Sequence, residues 1–193
     1  MNIFVLNNDP VIAAQTQCDK HVVKMIVESA QMLCTAHRLL DGTMEETKKM
    51  VAGSSPVRWR KGKYWRLANP DKDVKFYKAV HMHHPCTLWT METLENYEWH
   101  YRHFIALCDE YELRYGKVHA TRRKLADALR ALPKNISHGA ITPFRLAMKS
   151  NPECQHTDDP VRSYREFYQT KQSRFKMKWT KREVPNWFIL KHA

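Results

Sequence analysis

The stretch Cys18-Asp-Lys20-His21-Val-Val-Lys24-Met-Ile-Val-Glu28-Ser-Ala-Gln31-Met-Leu33-Cys34-Thr35-Ala-His37-Arg38-Leu-Leu40 decides the fold. Its apolar residues Val23, Ile26, Val27, Ala30, Leu33 and Cys34 recur at three- and four-residue steps, the period of a helix with a buried face. Upstream, Asp9-Pro10 reads as an N-cap followed by proline at the first helical position. One helix is therefore expected from there to Leu40, stopped by Asp41-Gly42. Residues 2–6, before it, suggest one short strand.

Working outward, the chain has only five glycines, and the long gaps between them carry helical spacing. A weaker helix is expected over 43–52, broken by Gly53-Ser54-Ser55-Pro56, then an ordered loop or arm over 57–72. A strong helix follows from His84-Pro85 to Tyr115, and Gly116 closes it. Another covers 119–132 and ends at Pro133. Residues 133–160 hold four prolines and read as irregular, and a last helix over 161–177 leads into an aromatic tail. With no internal repeat and no long linker, the expectation is a single all-α domain over 1–193, a compact bundle with long first and central helices.

The 193 residues suffice to bury a core, and 43% hydrophobic content excludes wholesale disorder. Thirty-two Lys and Arg against 20 Asp and Glu give a net charge of +12, whose self-repulsion a polyanionic partner would relieve. No segment approaches the roughly 18 to 20 apolar residues that cross a bilayer. The apolar start Met1–Leu6 lacks a basic leader and is expected to be no signal peptide. Five scattered cysteines, without a disulfide-scaffold spacing, suggest a reducing cytoplasm. A monomer that binds DNA and no membrane is expected.

The clearest nucleic-acid signal is Arg58-Trp59-Arg60-Lys61-Gly62-Lys63-Tyr64-Trp65-Arg66, with five cations, three aromatics and no acid. Cations there would neutralise phosphates while aromatic faces stack on bases or wedge between them. From Val161 to Ala193, nine Lys and Arg face only Glu166 and Glu183, with Trp179, Trp187 and Phe188 interleaved. On the first long helix Lys20, Lys24, Glu28, Gln31, Thr35 and Arg38 form one polar stripe. A lysine beside a carboxylate can do acid–base or imine chemistry, or can be a plain surface ion pair. Cys18-x-x-His21, Cys34-x-x-His37 and the His81-to-Cys86 cluster raise a zinc reading, but the two pairs lie more than two turns apart along one helix. No metal and no cofactor are expected. The absence of a Gly-rich phosphate loop, a G-x-S-x-G and a dinucleotide fingerprint disfavours nucleotide hydrolysis and hydride transfer.

Three stretches together resemble a family of small bacteriophage proteins, and more distantly the pyrimidine-dimer DNA glycosylase/AP-lyase family. They are Cys18 to Leu33, then His83-His84-Pro85-x-x-x-Trp89, then Glu110-Tyr111-x-x-Arg114-Tyr115-Gly116-Lys117-x-His119. The likeness covers about residues 10–120. It implies a compact helical fold, DNA as substrate, and cleavage of a glycosidic bond at a damaged or modified pyrimidine flipped from the duplex. It also implies an α-amine nucleophile exposed by removal of the initiator Met, assisted by a Glu of the first helix. Here Asn2 is too large for ordinary Met removal, and the position matching that Glu is His21, with Glu28 two turns later. Lys24 or Lys20 is then the candidate imine-forming amine and Glu28 the acid/base. Arg58, Trp59, Arg60, Lys61, Lys63, Tyr64, Trp65, Arg66, Gln31, Arg38, His83, His84, Lys117 and His119 are the candidate DNA contacts. A phage base-modifying enzyme and a non-catalytic DNA-binding protein share the same cradle and stand as alternatives.

Overall fold

The computed structural model describes residues 1–53 and 55–190, the side chain of Lys49 excepted. Seven α-helices are present among these residues: α1 (Pro10–Gln15), α2 (Asp19–Asp41), α3 (Pro70–Lys75), α4 (Pro85–Glu92), α5 (Leu94–Tyr115), α6 (Ala120–Arg130) and α7 (Pro160–Gln169). An antiparallel hairpin joins β1 (Thr43–Met50) to β2 (Trp59–Arg66). Helix accounts for 49% of the described residues, as a mostly helical fold requires, and the two-stranded hairpin corrects the all-α expectation.

The helix expected over 43–52 is a strand. Its Met, Glu and Lys residues favour helix locally, but in-register pairing from Thr43↔Arg66 to Met50↔Trp59 satisfies the backbone instead. Gly42 makes the exit possible, because a Cβ there would stand 2.4 Å from the Arg38 carbonyl oxygen. The long first helix is two helices. Asp9 caps α1 through the Val11 and Ile12 amides, as expected. The chain then turns at 16–18, where Cys18 N–H donates to Tyr168 Oη at 2.9 Å and the Thr16 carbonyl accepts from Trp179 Nε1 at 2.8 Å. The central helix likewise breaks at Thr93, whose hydroxyl caps α5, while Asn96 Nδ2 donates to the Trp89 carbonyl at 2.8 Å. Residues 2–6 form no strand. They run as buried irregular chain that turns at Phe4, whose φ is +51°, with Leu6 N–H donating to the Phe4 carbonyl at 2.8 Å and Ile3 to Leu6 at most 4% exposed. The last helix is shorter than expected, α7 passing into a 3₁₀ turn at Thr170–Ser173. Lys191-His-Ala, the end of the basic aromatic tail, and Ser54 lie outside the described residues.

Helix α2 crosses the middle of the molecule and packs on α4, α5 and α6. A single hydrophobic cluster extends from Ile3 to Phe188. Among the described residues no helix is long and apolar enough to cross a membrane.

The core also encloses histidines. Burial, with the charges of Lys24 and Lys171 adding to it, lowers His21 to about 4. Burial alone lowers His103 to about 3, and burial with the Lys72 charge lowers His37 to about 3. Unfolding restores these rings toward the ordinary value of 6.5, so below that pH the unfolded chain takes up protons that the folded one refuses. Stability is expected to be greatest above about pH 6.5 and to fall by about 1.4 kcal/mol per pH unit for each such histidine on acidification toward pH 4. Urea midpoints measured between pH 7.5 and 4.5 check this, and a flat profile would contradict it.

Candidate functional site

Local helix geometry brings Lys24 and Glu28 together one turn apart on α2, Nζ to Oε1 3.2 Å. What else meets Glu28 comes from far away in the chain. Its Oε2 accepts from Asn2 N–H at 3.0 Å and lies 3.7 Å from the Met1 α-amino nitrogen. The amine is held by the segment behind it, since Asn2 is buried, donates Nδ2–H to the Ala147 carbonyl at 3.1 Å and accepts from Phe4 N–H at 2.8 Å. The Glu28 side chain is only 13% exposed, whereas that of Lys24 is 65% exposed.

Pro85 starts α4 as expected, which puts His83 and His84 at its N-terminus. His84 is the cap, its Nδ1 accepting from Cys86 N–H at 3.2 Å. Burial and then the positive α-amine of Met1 lower its pKa, with Glu28 pulling the other way, so this imidazole stands within the field of the same cluster. His83 is exposed beside it. Glu28 thus gathers the Met1 amine and Lys24 within 3.7 Å, and His84 stands in the electrostatic field of that group, so a carboxylate, two amines and an imidazole share one region. Such a set can hold, protonate and attack an electrophilic carbon.

The remaining predicted residues separate. Lys20 Nζ lies over the Phe175 ring, 4.8 Å from its centre. His21 is buried, stacked 4.8 Å from Phe4, with Nδ1 2.7 Å from Tyr168 Oη. Gln31 is half-buried, one turn beyond Glu28, and Thr35 Oγ1 donates to its carbonyl at 2.7 Å. Arg38 needs correction as a DNA contact. Its side chain is 1% exposed, pairs with Asp73 at 2.7 Å, and donates to the carbonyls of Trp65 (2.6 Å), Tyr77 (2.6 Å), Asp73 (2.7 Å) and Phe76 (3.0 Å). The polar stripe ends inside the molecule there.

Lys117 is exposed after the left-handed Gly116 that closes α5. His119 caps α6 through the Thr121 amide at 3.1 Å and meets Tyr111 edge-on at 4.9 Å. The neighbouring Glu110 and Arg114 form a buried ion network. Glu110 bonds Arg114 at 2.9 Å and Arg182 at 2.6 Å, and Arg114 also reaches Asp19 at 3.1 Å. That motif ties α5 to the start of α2 and to the tail.

The basic arm is the hairpin. Arg58, Trp59, Arg60, Lys61, Lys63 and Arg66 are exposed, Trp59 at 63% opposite Met50 at 60%. Near its base the charges compensate, with Arg66 on Glu45 at 2.7 Å and Glu46 opposite Lys63. Farther out Lys48 is opposite Lys61, a like-charge pair that destabilises an isolated hairpin. Tyr64 is no free stacking face: its hydroxyl donates to Asp73 at 2.8 Å and the Arg38 and Arg66 guanidinia lie 5.0 and 5.2 Å from its ring. Trp65 is half-buried. The segment leaving the hairpin passes back along α2, where Thr35 Oγ1 accepts from the Val80 N–H at 3.1 Å and lies 3.2 Å from the Val80 carbonyl oxygen, and ends at His84. Hairpin and Glu28 therefore share one edge of α2.

The five cysteines are buried free thiols, and no cluster of three or more His, Cys, Asp or Glu converges among the described residues. Sequence reasoning missed Asn2, which positions the amine, and Lys171, a 7% exposed cation near His21 and Lys24. No period or motif marks either one. Comparison of the chain with protein-family models, curated proteins and solved structures finds no match, so its function has to be argued from these residues.

Proposed function

We propose that the protein is a DNA-binding enzyme of the glycosylase type, acting on a damaged or modified pyrimidine turned out of duplex DNA. The observation that carries this is Glu28, a largely buried carboxylate with one oxygen toward the Met1 amine and Asn2 N–H and the other on Lys24. Positive charge develops on the sugar as a glycosidic bond breaks, and a desolvated carboxylate stabilises it while moving the proton of the attacking group. An amine on that carboxylate can add to C1′ as the base departs with the bonding electrons and takes up the amine's proton; the C1′–O4′ bond then breaks, the second amine proton passes to O4′, and the opened sugar is left as an imine. The Met1 nitrogen is held in place by the buried Asn2, whereas Lys24 is 65% exposed on a flexible side chain, which favours the Met1 nitrogen as the attacking amine.

The hairpin supports the DNA part of the reading. A two-stranded ribbon fits the major groove, phosphates would relieve the Lys48–Lys61 repulsion, and Trp59 offers an open ring for stacking. Replacing Arg58, Arg60, Lys61 and Lys63 together with Ala is expected to flatten the slope of log K against log salt by about 0.9 for each phosphate that is no longer neutralised. An unchanged slope would remove the hairpin from the interface.

The decisive experiment incubates the protein with a panel of modified duplexes, with mass spectrometry of the products and borohydride trapping. Released base and a covalent trap are expected, the trap being lost when residues are added ahead of Met1 and retained in Lys24→Ala. The reverse pattern would assign the imine to Lys24. A nucleoside mass shift without release would replace the glycosylase reading by base modification, and binding with neither would leave a passive DNA-binding protein.

A further inference from the structure

The start of α2 borders a groove of about 490 Å³ whose walls include Asp19, Lys20, His21, Lys24, Tyr115 and Phe175. Lys20 and Lys24 are exposed cations there. The Asp19 carboxylate is already committed, to Arg114 at 3.1 Å and to the Thr180 amide and hydroxyl at 2.9 and 2.7 Å, so it does not balance Lys20, while Lys24 is paired with Glu28 at 3.2 Å.

Lys171 does not line the groove, but its charge acts on both His21 and Lys24. It is 7% exposed, rests against Phe167 with Nζ 3.4 Å from the ring centre, and pairs with no carboxylate among the described residues. Burial first, then the charges of Arg174 and Lys24, bring its pKa down to about 8, with Cys154 pulling the other way. A buried cation with cationic neighbours and no counter-ion is costly, and a bound anion offsets that cost.

His21 adds a neutral donor. Tyr168 Oη accepts from Cys18 N–H at 2.9 Å and lies 2.7 Å from His21 Nδ1, to which it can donate its own proton. The ring, neutral because burial holds it at about 4, then carries its proton on Nε2.

We propose that this groove, in the field of Lys171, is a binding site for a phosphate group. Resting on the DNA reading above, we assign that group to the backbone of the strand presented to Glu28. His21 and Glu28 are seven residues apart on one face of α2, about 10 Å along the helix, so a strand lying on α2 could place a phosphate at one and a sugar at the other.

The test is an amide NMR titration of the whole protein, at constant ionic strength, with inorganic phosphate, thymidine monophosphate and a duplex in turn. Phosphate and the nucleotide are expected to shift Lys20, His21, Lys24 and Phe175 and to bind about tenfold or more weakly to Lys171→Met. That variant should fold, since an unpaired buried ammonium is exchanged for an apolar chain of similar length. Should it not fold, exposed Lys20→Gln is expected to weaken phosphate in the same direction. Those results support the site whether or not the duplex binds, and a duplex that does not bind would sink the DNA assignment alone. A duplex that binds while phosphate and nucleotide leave the groove resonances unmoved would overturn the site and leave the DNA reading intact. Equal phosphate affinity in Lys171→Met and the native protein would also overturn it.

Discussion

Glu28→Gln is expected to bind a substrate duplex as tightly as the native protein and to release its base at least about a thousandfold more slowly, because it removes the proton carrier and the charge facing the sugar. The substitution suits the question. The amide oxygen can still accept from Asn2 N–H, now 3.0 Å from the carboxylate, so the amino-terminal segment keeps an anchor. What disappears is the negative charge between the Met1 amine and Lys24. Single-turnover rates and Kd on the same duplex separate the two effects, with circular dichroism confirming the fold. Full activity in a correctly folded Glu28→Gln would end the assignment and transfer the acid/base role to His84.

Arg38→Met is expected to destabilise the fold by about 3–5 kcal/mol, the usual result of removing one partner of a buried ion pair. Asp73 would lose its closest charge partner at 2.7 Å while remaining 8% exposed, and four carbonyls would lose their donors. Arg66 at 3.4 Å, the Leu67 amide and the Tyr64 hydroxyl would be left to hold the carboxylate. Arg38→Lys recovers little, since one ammonium cannot reproduce the forked guanidinium. Urea unfolding is the measurement. A residue that only touched DNA would leave the urea midpoint unchanged and weaken binding alone. Because Arg38 joins α2 to the base of β2 and to α3, its loss is also expected to loosen the hairpin, which faster amide exchange in 59–66 would report.

Some of this architecture is written locally. The period of α2, the Asp9 cap, the stop at Gly42, the left-handed Gly116 and the proline start of α4 each depend on a few consecutive residues, and each is found where the sequence places it. The Lys24–Glu28 pair is legible for the same reason, being one helical turn long. Other features depend on partners far along the chain. Residues 43–50 have helical preferences and become a strand because 59–66 supply a complementary edge. The turn at 16–18 exists because Tyr168 and Trp179 take hydrogen-bonding groups of that segment.

Periodicity alone set Arg38 beside Glu28 on one polar stripe, but it carries no information on what covers each position. Asp73 and the hairpin base made Arg38 a buried clamp, while Glu28 stayed at the surface edge. The sequence by itself determined the period of α2, the Asp9 cap, the glycine stops, the proline start of α4, the basic aromatic arm and one lysine–carboxylate pair, all short-range consequences of spacing and residue type. Only the tertiary structure brought Met1 and Asn2 to Glu28, set His84 in their field, and left Lys171 buried without a counter-charge among the described residues. Those meetings join segments tens of residues apart, and they are set by how the helices pack around α2 rather than by any local preference.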